Sequence, residues 1–349
     1  MITGVSDELL VALIGLGGGI LLGLAARVGR FCTLGAIEDI IYQNNDLRMR
    51  MWILAIAVAM IGSFAMIGFG LLPAADSAYL GQVWHPLASI LGGLVFGYGM
   101  ALSGTCGYGA LARLGGGDLR AFVIVTVMGI SAYSAISGPL SPLRIWAFPM
   151  VETAQTAGLA HYLGRITGLS PVIFGLVVGV TLLVIALASR SILDKPKAIF
   201  WGVMVGLAVV TGWGGTAMVA YSSFGAVPVV SHTFSGPTGE TILYAMTSSG
   251  SSLSFGIGSV AGVWCGAFIG SLIKRQFRWE ACEDPRELRR QIFGAALMGI
   301  GAATAVGCTI GQGVSAFSLL AYGAPVTFLA IVSGAALGLR QLIEGFSPA

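Results

Sequence analysis

The chain has 349 residues, of which 56% are hydrophobic and 9% are charged, and its formal net charge is +3. A soluble domain carries roughly 25% charged residues, so this composition excludes a protein whose surface lies mostly in water. Uncharged stretches such as 51–72 reach the length of about 20 residues that a helix needs to cross a bilayer. Alternating segments of about ten residues, typical of a membrane β-barrel, are absent. The sequence therefore predicts an all-α integral membrane protein.

Apolar segments predict about nine transmembrane helices within a single transmembrane domain that covers residues 1–349. The first segment has no basic region before it, so we interpret it as a spanning helix rather than a cleaved signal peptide. In chain order, the predicted spans are 9–29, 51–72, 87–105, 119–137, 171–190, 197–213, 252–273, 290–307 and 324–344.

Lysine and arginine are distributed unequally between the two sides that these spans define. Of the 18 such residues, only Arg144 and Arg165 share a side with the N-terminus. Cytoplasmic loops carry an excess of Lys and Arg. The distribution therefore predicts an external N-terminus and a cytoplasmic C-terminus.

Two glycine-rich stretches suggest an internal repeat. LSGTCGYGALARLGGG at 102–117 and TAVGCTIGQGVSAFS at 304–318 align at an offset of 202 residues, which pairs Cys106 with Cys308. A weaker alignment at an offset of 183 places Gly215 opposite Cys32. One helix at 171–190 separates the halves 9–137 and 197–344, and an odd linker inverts the second copy. We therefore predict the inverted repeat that is common among transporters.

The cysteines are odd in number and form no CxxC pair, which argues against a zinc site or a disulfide framework. Cys265 is interpreted as a small buried residue within a span, and Cys282 as an incidental residue of a charged loop. The other three, in RFCTLG, GTCGYG and VGCTIG, each sit where glycines interrupt an apolar run. They are Cys32, Cys106 and Cys308.

The segments 107–116 and 309–318 are too short to span and are predicted to re-enter the protein as broken helices lining a cavity. They contain almost no acids, and His85, His161 and His232 are predicted on outer loops, so a metal ion is a poor candidate. Helix N-termini favour an anion, and protonated thiols add weak S–H donors. Apolar surroundings favour the protonated thiol. The pattern indicates a small anion with a soft, sulfur-bearing end.

Three motifs, GRFCTLGAIEDI, SGTCGYGALARLGGGDLR and GCTIGQGVSAFS, resemble the YeeE/YedE family of sulfur-compound transporters, and the resemblance extends from about residue 14 to 340. It implies an hourglass of nine spanning helices with short helices entering from both faces. It also implies inward transport of thiosulfate across a bacterial inner membrane, with a periplasmic N-terminus. The anion would pass from Cys308 to Cys106 to Cys32 through transient S–H···S hydrogen bonds.

The resemblance further implies a separate cytoplasmic TusA-like sulfur carrier, and no enzymatic activity, cofactor, metal or nucleic acid. The expected partners are the sulfur anion, the lipid bilayer and this carrier. Residues expected to support the thiols are Gly104, Thr105, Gly107, Gly307, Thr309, Gly311, Gln312 and Arg30.

Several alternatives stay open at this point. The central motifs read TCG and GCT rather than a uniform GGC, so another sulfane-sulfur or selenium species is an alternative substrate. A membrane sensor of sulfur compounds is an alternative function. A membrane thiol enzyme ranks low, because no histidine lies within a cysteine segment to act as its base. Arg27 and Arg30 either anchor the chain in the interface or attract the anion. Gln312 and Ser315 either donate to the anion or cap a helix.

Overall fold

A computed structural model describes residues 6–149, 156, 158–281 and 284–345. The part of the chain that it describes is helical, with isolated bridges but no strand. Cys282 lies outside the described residues. Short 3₁₀ helices occur at Ala74–Asp76 and Phe317–Leu319, and a π-helix at Gly311–Ala316. The α-helices are α1 Asp7–Arg27, α2 Thr33–Gln43, α3 Leu47–Gly68, α4 Pro86–Ser103, α5 Gly107–Gly115, α6 Leu119–Ile136, α7 Ser141–Ala147, α8 Leu159–Thr167, α9 Pro171–Leu187, α10 Arg190–Leu193, α11 Pro196–Ser222, α12 Ser235–Thr247, α13 Phe255–Ile273, α14 Pro285–Thr304 and α15 Gly323–Glu344.

Among the described residues, seven segments are helical, long and apolar enough to cross a membrane. They comprise α1, α3, α4 together with α5, α6, α11, α13 and α15. The remaining two predicted spans correspond to α9, which has 17 residues, and to α14, which opens with the charged turn PRELRR. The all-α integral membrane fold is confirmed, whereas the count of nine is not.

Close helix packing surrounds a central core. α1 lies along α13, and α4 lies between α14 and α15. A Cβ added at Gly258 of α13 would collide with the Ala12 carbonyl oxygen of α1, so this contact requires a glycine. Lipid provides no hydrophobic driving force between membrane helices, so the helices associate largely through close packing. Small residues allow their backbones to approach closely enough for this. The core holds large buried rings, including those of Trp52, Trp213 and Tyr108.

Four short helical segments interrupt the bundle, and each follows a backbone break. α2 begins after Cys32 and α5 after Cys106, while α12 begins after Phe234 and a helical turn begins after Cys308. The offset of 202 residues thus relates both pairs of breaks. That the two halves are inverted copies stays a prediction, which this order of elements supports.

The weaker alignment at an offset of 183 was wrong about where the second half breaks. α11 passes through Gly215 without interruption, because this glycine packs against Ile14 inside a continuous helix. The break comes later, and Phe234 occupies the place that corresponds to Cys32.

The expectation that His232 lies on an outer loop was also wrong. The segment before α12 runs into the protein, and the His232 side chain is completely buried. Its Nδ1 lies 2.6 Å from the Ser259 hydroxyl, and the ring abuts Gly18 of α1. A polar, glycine-containing loop can therefore enter the core where helices supply hydrogen-bond partners.

Candidate functional site

The three predicted thiols share one local geometry. Each sulfur accepts a hydrogen bond from the backbone N–H three residues later, at 3.5 Å for Cys32, 3.3 Å for Cys106 and 3.5 Å for Cys308. In each case the donor is a glycine, and the cysteine takes the place of a Ser or Asp N-cap. Accepting this bond uses a sulfur lone pair, so the S–H group stays available as a donor.

These thiols lie in one region of the protein. Cys106 and Cys308 are buried and Cys32 is partly buried. Cys106 lies in the neighbourhood of both Cys32 and Cys308, and beside the Thr309 side chain. The structure therefore brings together three sulfurs that are far apart in sequence.

Two aromatic residues lie between Cys308 and the other two thiols. The Phe234 backbone N–H donates to the Cys308 sulfur at 3.4 Å, and the Phe234 ring packs against Tyr108 with centroids 5.5 Å apart. Tyr108 in turn lies near Cys106 and Cys32, and its hydroxyl donates to the Leu22 carbonyl of α1. Phe234 and Tyr108 therefore connect the Cys308 site to the neighbourhood of the other two thiols.

Hydroxyl groups that the sequence analysis missed surround Cys308. The Thr233 Oγ1 atom lies 3.6 Å from the Cys308 sulfur. The Tyr79 hydroxyl lies beside Thr233, and both face Gly311. The sequence alignment at an offset of 202 could have identified Thr233 and Phe234, because it pairs Cys32 with Phe234. No pattern in the sequence indicates Tyr79.

Two adjoining cavities lead away from the hydroxyl groups around Cys308. Tyr79, Gln82 and Arg144 line both of them. One cavity also reaches Gln312, while the other has a volume of about 250 Å³ and reaches Thr233. A path lined by a cation and by polar side chains thus approaches the Cys308 site.

The structure resolves how Gln312 and Ser315 use their donors. The Gln312 amide donates to the carbonyl oxygens of Ala305 and Val306 at the end of α14. The Ser315 hydroxyl donates to the His232 carbonyl oxygen at 2.7 Å. The Gln312 amide therefore caps the end of α14, whereas the Ser315 hydroxyl stabilises the buried loop.

The other supporting residues are placed as follows. Gly104 and Gly307 adopt positive φ at the breaks before Cys106 and Cys308. Gly107 opens α5, and the Thr105 hydroxyl donates to the Cys106 carbonyl oxygen. Arg30 lies outside the thiol cluster, is exposed, and lines a separate cavity.

Several buried donors near the thiols have no oxygen or nitrogen partner within the protein. They are the hydroxyls of Thr33 and Thr309, each next to a thiol residue, and the indole N–H of Trp52. An unsatisfied buried polar group needs an explanation, and a guest with acceptor oxygens provides one. Among the described residues, no group of three or more His, Cys, Asp or Glu is arranged to hold a metal ion.

Two acidic groups, Glu38 and Asp39, lie on α2 at the Cys32 end of this region. Glu38 lies on α2 below Cys32, and burial raises its pKa, although Arg113 and Arg48 oppose the shift. Asp39 pairs with Arg48 at 3.2 Å. The thiol cluster itself is thus rich in donors and poor in carboxylates, which suits an anion better than a cation.

The fold and the site define a multi-spanning membrane protein with a buried, donor-lined thiol cluster, a design suited to moving an anion. The family described as Sulphur transport matches residues 28–337, and the chain belongs to this family. The sequence resemblance to the YeeE/YedE transporters is thereby confirmed.

Two relatives are similar over most of their length. The thiosulfate transporter TsuA of Escherichia coli (strain K12) is 28% identical over 323 residues, covering 85% of this chain and 84% of the relative. The thiosulfate transporter TsuA of Spirochaeta thermophila is 26% identical over 323 residues, covering 89% and 94%. Transport of a sulfur compound across a membrane is therefore the general activity of this family.

Proposed function

We propose that this chain takes up thiosulfate, or a closely related sulfur-containing anion, across the bacterial inner membrane. The observation that carries the proposal is the clustering of three N-capping thiols, with Cys106 in the neighbourhood of both Cys32 and Cys308. The names of the two relatives support thiosulfate as the substrate. The anion keeps its covalent bonds throughout, so the chain acts as a transporter and not as an enzyme.

Entry begins at the cavities beside Tyr79, Gln82 and Arg144. Arg144 supplies positive charge at a mouth where, by the sequence topology, cations are scarce. At the cavity floor, the sulfane sulfur of the anion accepts the S–H of Cys308. Its oxygens accept from the hydroxyls of Thr233 and Tyr79, which are the right partners for a sulfonate group.

Transfer then proceeds inward along neighbouring donors. The Thr309 hydroxyl, next to Cys308 and near Cys106, has no other hydrogen-bond partner and can hold an oxygen during the step. Cys106 next binds the sulfane sulfur, and Cys32 follows beside Tyr108. Neutral thiols suit this relay because a thiolate would repel the anion.

The topology belongs to the same proposal. The N-terminus lies in the periplasm and the C-terminus in the cytoplasm, and the halves 9–137 and 197–344 are inverted copies joined through 171–190. Such a repeat places the thiol-bearing breaks near the midplane, where transporters of this architecture bind substrate. A cytoplasmic TusA-like carrier receives the anion after Cys32.

Serine substitutions in proteoliposomes test the relay. Serine keeps the size and hydrogen bonding of cysteine but lacks the soft sulfur. We expect Cys106→Ser and Cys308→Ser to insert and fold normally and to lose uptake of radiolabelled thiosulfate. The matched control is Cys265→Ser, because Cys265 lies on α13 and not at a helix break.

Normal uptake by both the Cys106 and the Cys308 variants contradicts the thiol relay. Thiosulfate binding by the wild-type protein without flux into protein-containing vesicles would instead favour a sensor. Uptake of selenium or other sulfane-sulfur species in preference to thiosulfate would change the substrate and leave the relay in place.

A further inference from the structure

A second cluster of cations lies at the inner end of the molecule, apart from the thiols. A cavity of about 550 Å³ opens there between the end of α1, the start of α3 and the start of α11. Its lining includes four basic side chains, Arg30, Arg48, Lys195 and Lys197, and two acidic ones, Asp39 and Asp194. The cavity therefore carries a net positive charge.

Most of this charge is not neutralised within the protein. Arg48 pairs with Asp39 at 3.2 Å. No ion pair of the described residues involves Arg30, Lys195 or Lys197. The cations of this cavity outnumber its two carboxylates and repel one another, and a bound anion relieves that repulsion.

A further lysine responds to the same crowding. The Lys274 ammonium donates to the Val28 carbonyl oxygen at 3.0 Å, beside the cavity. Burial lowers the pKa of Lys274, and the nearby Arg30, Lys197 and Arg27 lower it further. Lys195, Lys197 and Lys274 are the three lysines of the chain, so all of them gather at this inner end.

The backbone presents Arg30 in an unusual way. Its φ is +56°, in the left-handed region that a non-glycine residue seldom adopts. The Phe31 N–H donates to the Ala25 carbonyl oxygen, so this left-handed turn ends α1. The turn brings Arg30 into the lining of the cavity.

The cavity is connected to the thiol cluster through α2. Arg48 reaches from the cavity to the first turn of α2, where its guanidinium abuts Gly35 so closely that a Cβ would collide with it. Gly35 is the residue whose N–H donates to the Cys32 sulfur. The contact between Arg48 and Gly35 therefore connects the cationic cavity to the Cys32 thiol.

We propose that this inner cavity is a second binding site, for a tetrahedral oxyanion, formed by Arg30, Lys195 and Lys197 with Lys274 beside them. Two sources offer this chemistry, a free sulfur oxyanion and the phosphate of an anionic lipid headgroup. A free oxyanion would be the anion that has left Cys32, and only this identification of the occupant rests on the proposed function.

Amine labelling of the lysines tests the site in the intact protein. A bound oxyanion keeps the lysines charged and slows their reaction with a formaldehyde–borohydride reagent, read residue by residue by mass spectrometry. In phosphatidylcholine nanodiscs we expect sodium thiosulfate to slow labelling of Lys197 and Lys274 about threefold, because the bound anion keeps their ammonium groups charged. Sodium chloride of equal ionic strength is the control for screening.

Two variants make the result specific. Arg30→Asn removes a ligand while keeping a residue that tolerates positive φ, and it should abolish the protection. Arg190→Gln removes a cation from the neighbouring helix α10, outside the cavity lining, and should retain it.

The lipid composition of the nanodiscs distinguishes the two possible sources of the oxyanion. Protection by thiosulfate in phosphatidylcholine alone identifies a free oxyanion as occupant. Protection that needs added phosphatidylglycerol, and no thiosulfate, identifies a lipid headgroup. Equal labelling under all conditions, or equal protection in the Arg30→Asn protein, overturns the site.

The proposed transport function and the cavity site can be tested independently of each other. The Cys308→Ser protein should lose uptake and still show protected lysines. Protected lysines in a wild-type protein without uptake would refute thiosulfate transport and leave the cavity site standing.

Discussion

One residue at the thiol cluster combines complete burial with a hydroxyl that lacks the usual hydrogen-bond partners, two properties that seldom occur together. Thr309 is completely buried, yet its hydroxyl has no oxygen or nitrogen partner and lies beside the Cys106 thiol. Thr216 is equally buried, and its hydroxyl contacts the Gly212 and Val230 carbonyl oxygens. The difference marks Thr309 as a donor held ready for a guest, and Thr216 as part of the scaffold.

Thr309→Val should therefore stabilise the protein and weaken transport. Valine keeps the shape of threonine and removes an unsatisfied hydroxyl, which should increase the free energy of unfolding by about 1 kcal/mol. The loss of a donor should lower thiosulfate uptake, and Thr309→Ser should largely retain it. Thermal unfolding in detergent and uptake in proteoliposomes measure the two effects.

Thr216→Val is the matched control. It deletes a satisfied hydroxyl and leaves carbonyl oxygens unpaired, so it should destabilise the protein by about 1–3 kcal/mol. A Thr309→Val protein that transports at the wild-type rate would show that this hydroxyl does not hold the anion.

At the scale of elements, the long helices form a rigid frame around four short ones. α1 and α13 pack along most of their length. α1 leads directly to the Cys32 break, and α13 carries the Ser259 hydroxyl that anchors His232 beside the Cys308 site. Contact between these two helices thus positions both ends of the thiol cluster.

Gly258→Ala should disturb this frame. The added methyl group collides with the Ala12 carbonyl oxygen, and overpacking of this kind costs about 1–3 kcal/mol. We expect a lower melting temperature and reduced uptake, because both breaks shift together. Fluorescence-detected size exclusion after heating provides the measurement.

Gly17→Ala on the same pair of helices is the control. Nothing lies within 4 Å of its added Cβ, so alanine should preserve or raise stability through its higher helix propensity. Equal melting temperatures for the two variants would mean that α1 and α13 do not pack as described.

At the scale of the whole molecule, the charge distribution and the positions of the cavities both support the proposed inward direction of transport. The cavities beside Arg144 approach Cys308, while the lysine-lined cavity lies next to Cys32. If the positive-inside rule sets the orientation, the anion meets Cys308 from the periplasm and leaves Cys32 into the cytoplasm.

Impermeant amine labelling tests this orientation. In intact spheroplasts none of Lys195, Lys197 and Lys274 should react, whereas all three should react in inverted membrane vesicles. A lysine introduced by Arg165→Lys should show the opposite pattern. Labelling of the three native lysines from outside would reverse the proposed direction of transport.

Much of this architecture could be predicted from the sequence, and the failures have identifiable causes. Apolar length predicted the membrane helices, but α9 is short and α14 begins with charge, so the count of nine stays open. Glycines around a thiol predicted the breaks at Cys32, Cys106 and Cys308. Glycines alone misled at Gly215, because a small residue serves helix packing as readily as it serves a turn.

The sequence by itself determined the membrane class, the positions of the three thiols and the offset of 202, since these depend on local patterns of polarity, glycine and cysteine. Only the tertiary structure decided that Thr233 and Phe234 meet Cys308, that Tyr79 joins them, and that Arg48 lies against Gly35. Such contacts join residues that are distant along the chain, and they depend on how whole helices pack. No local period along the chain encodes that packing.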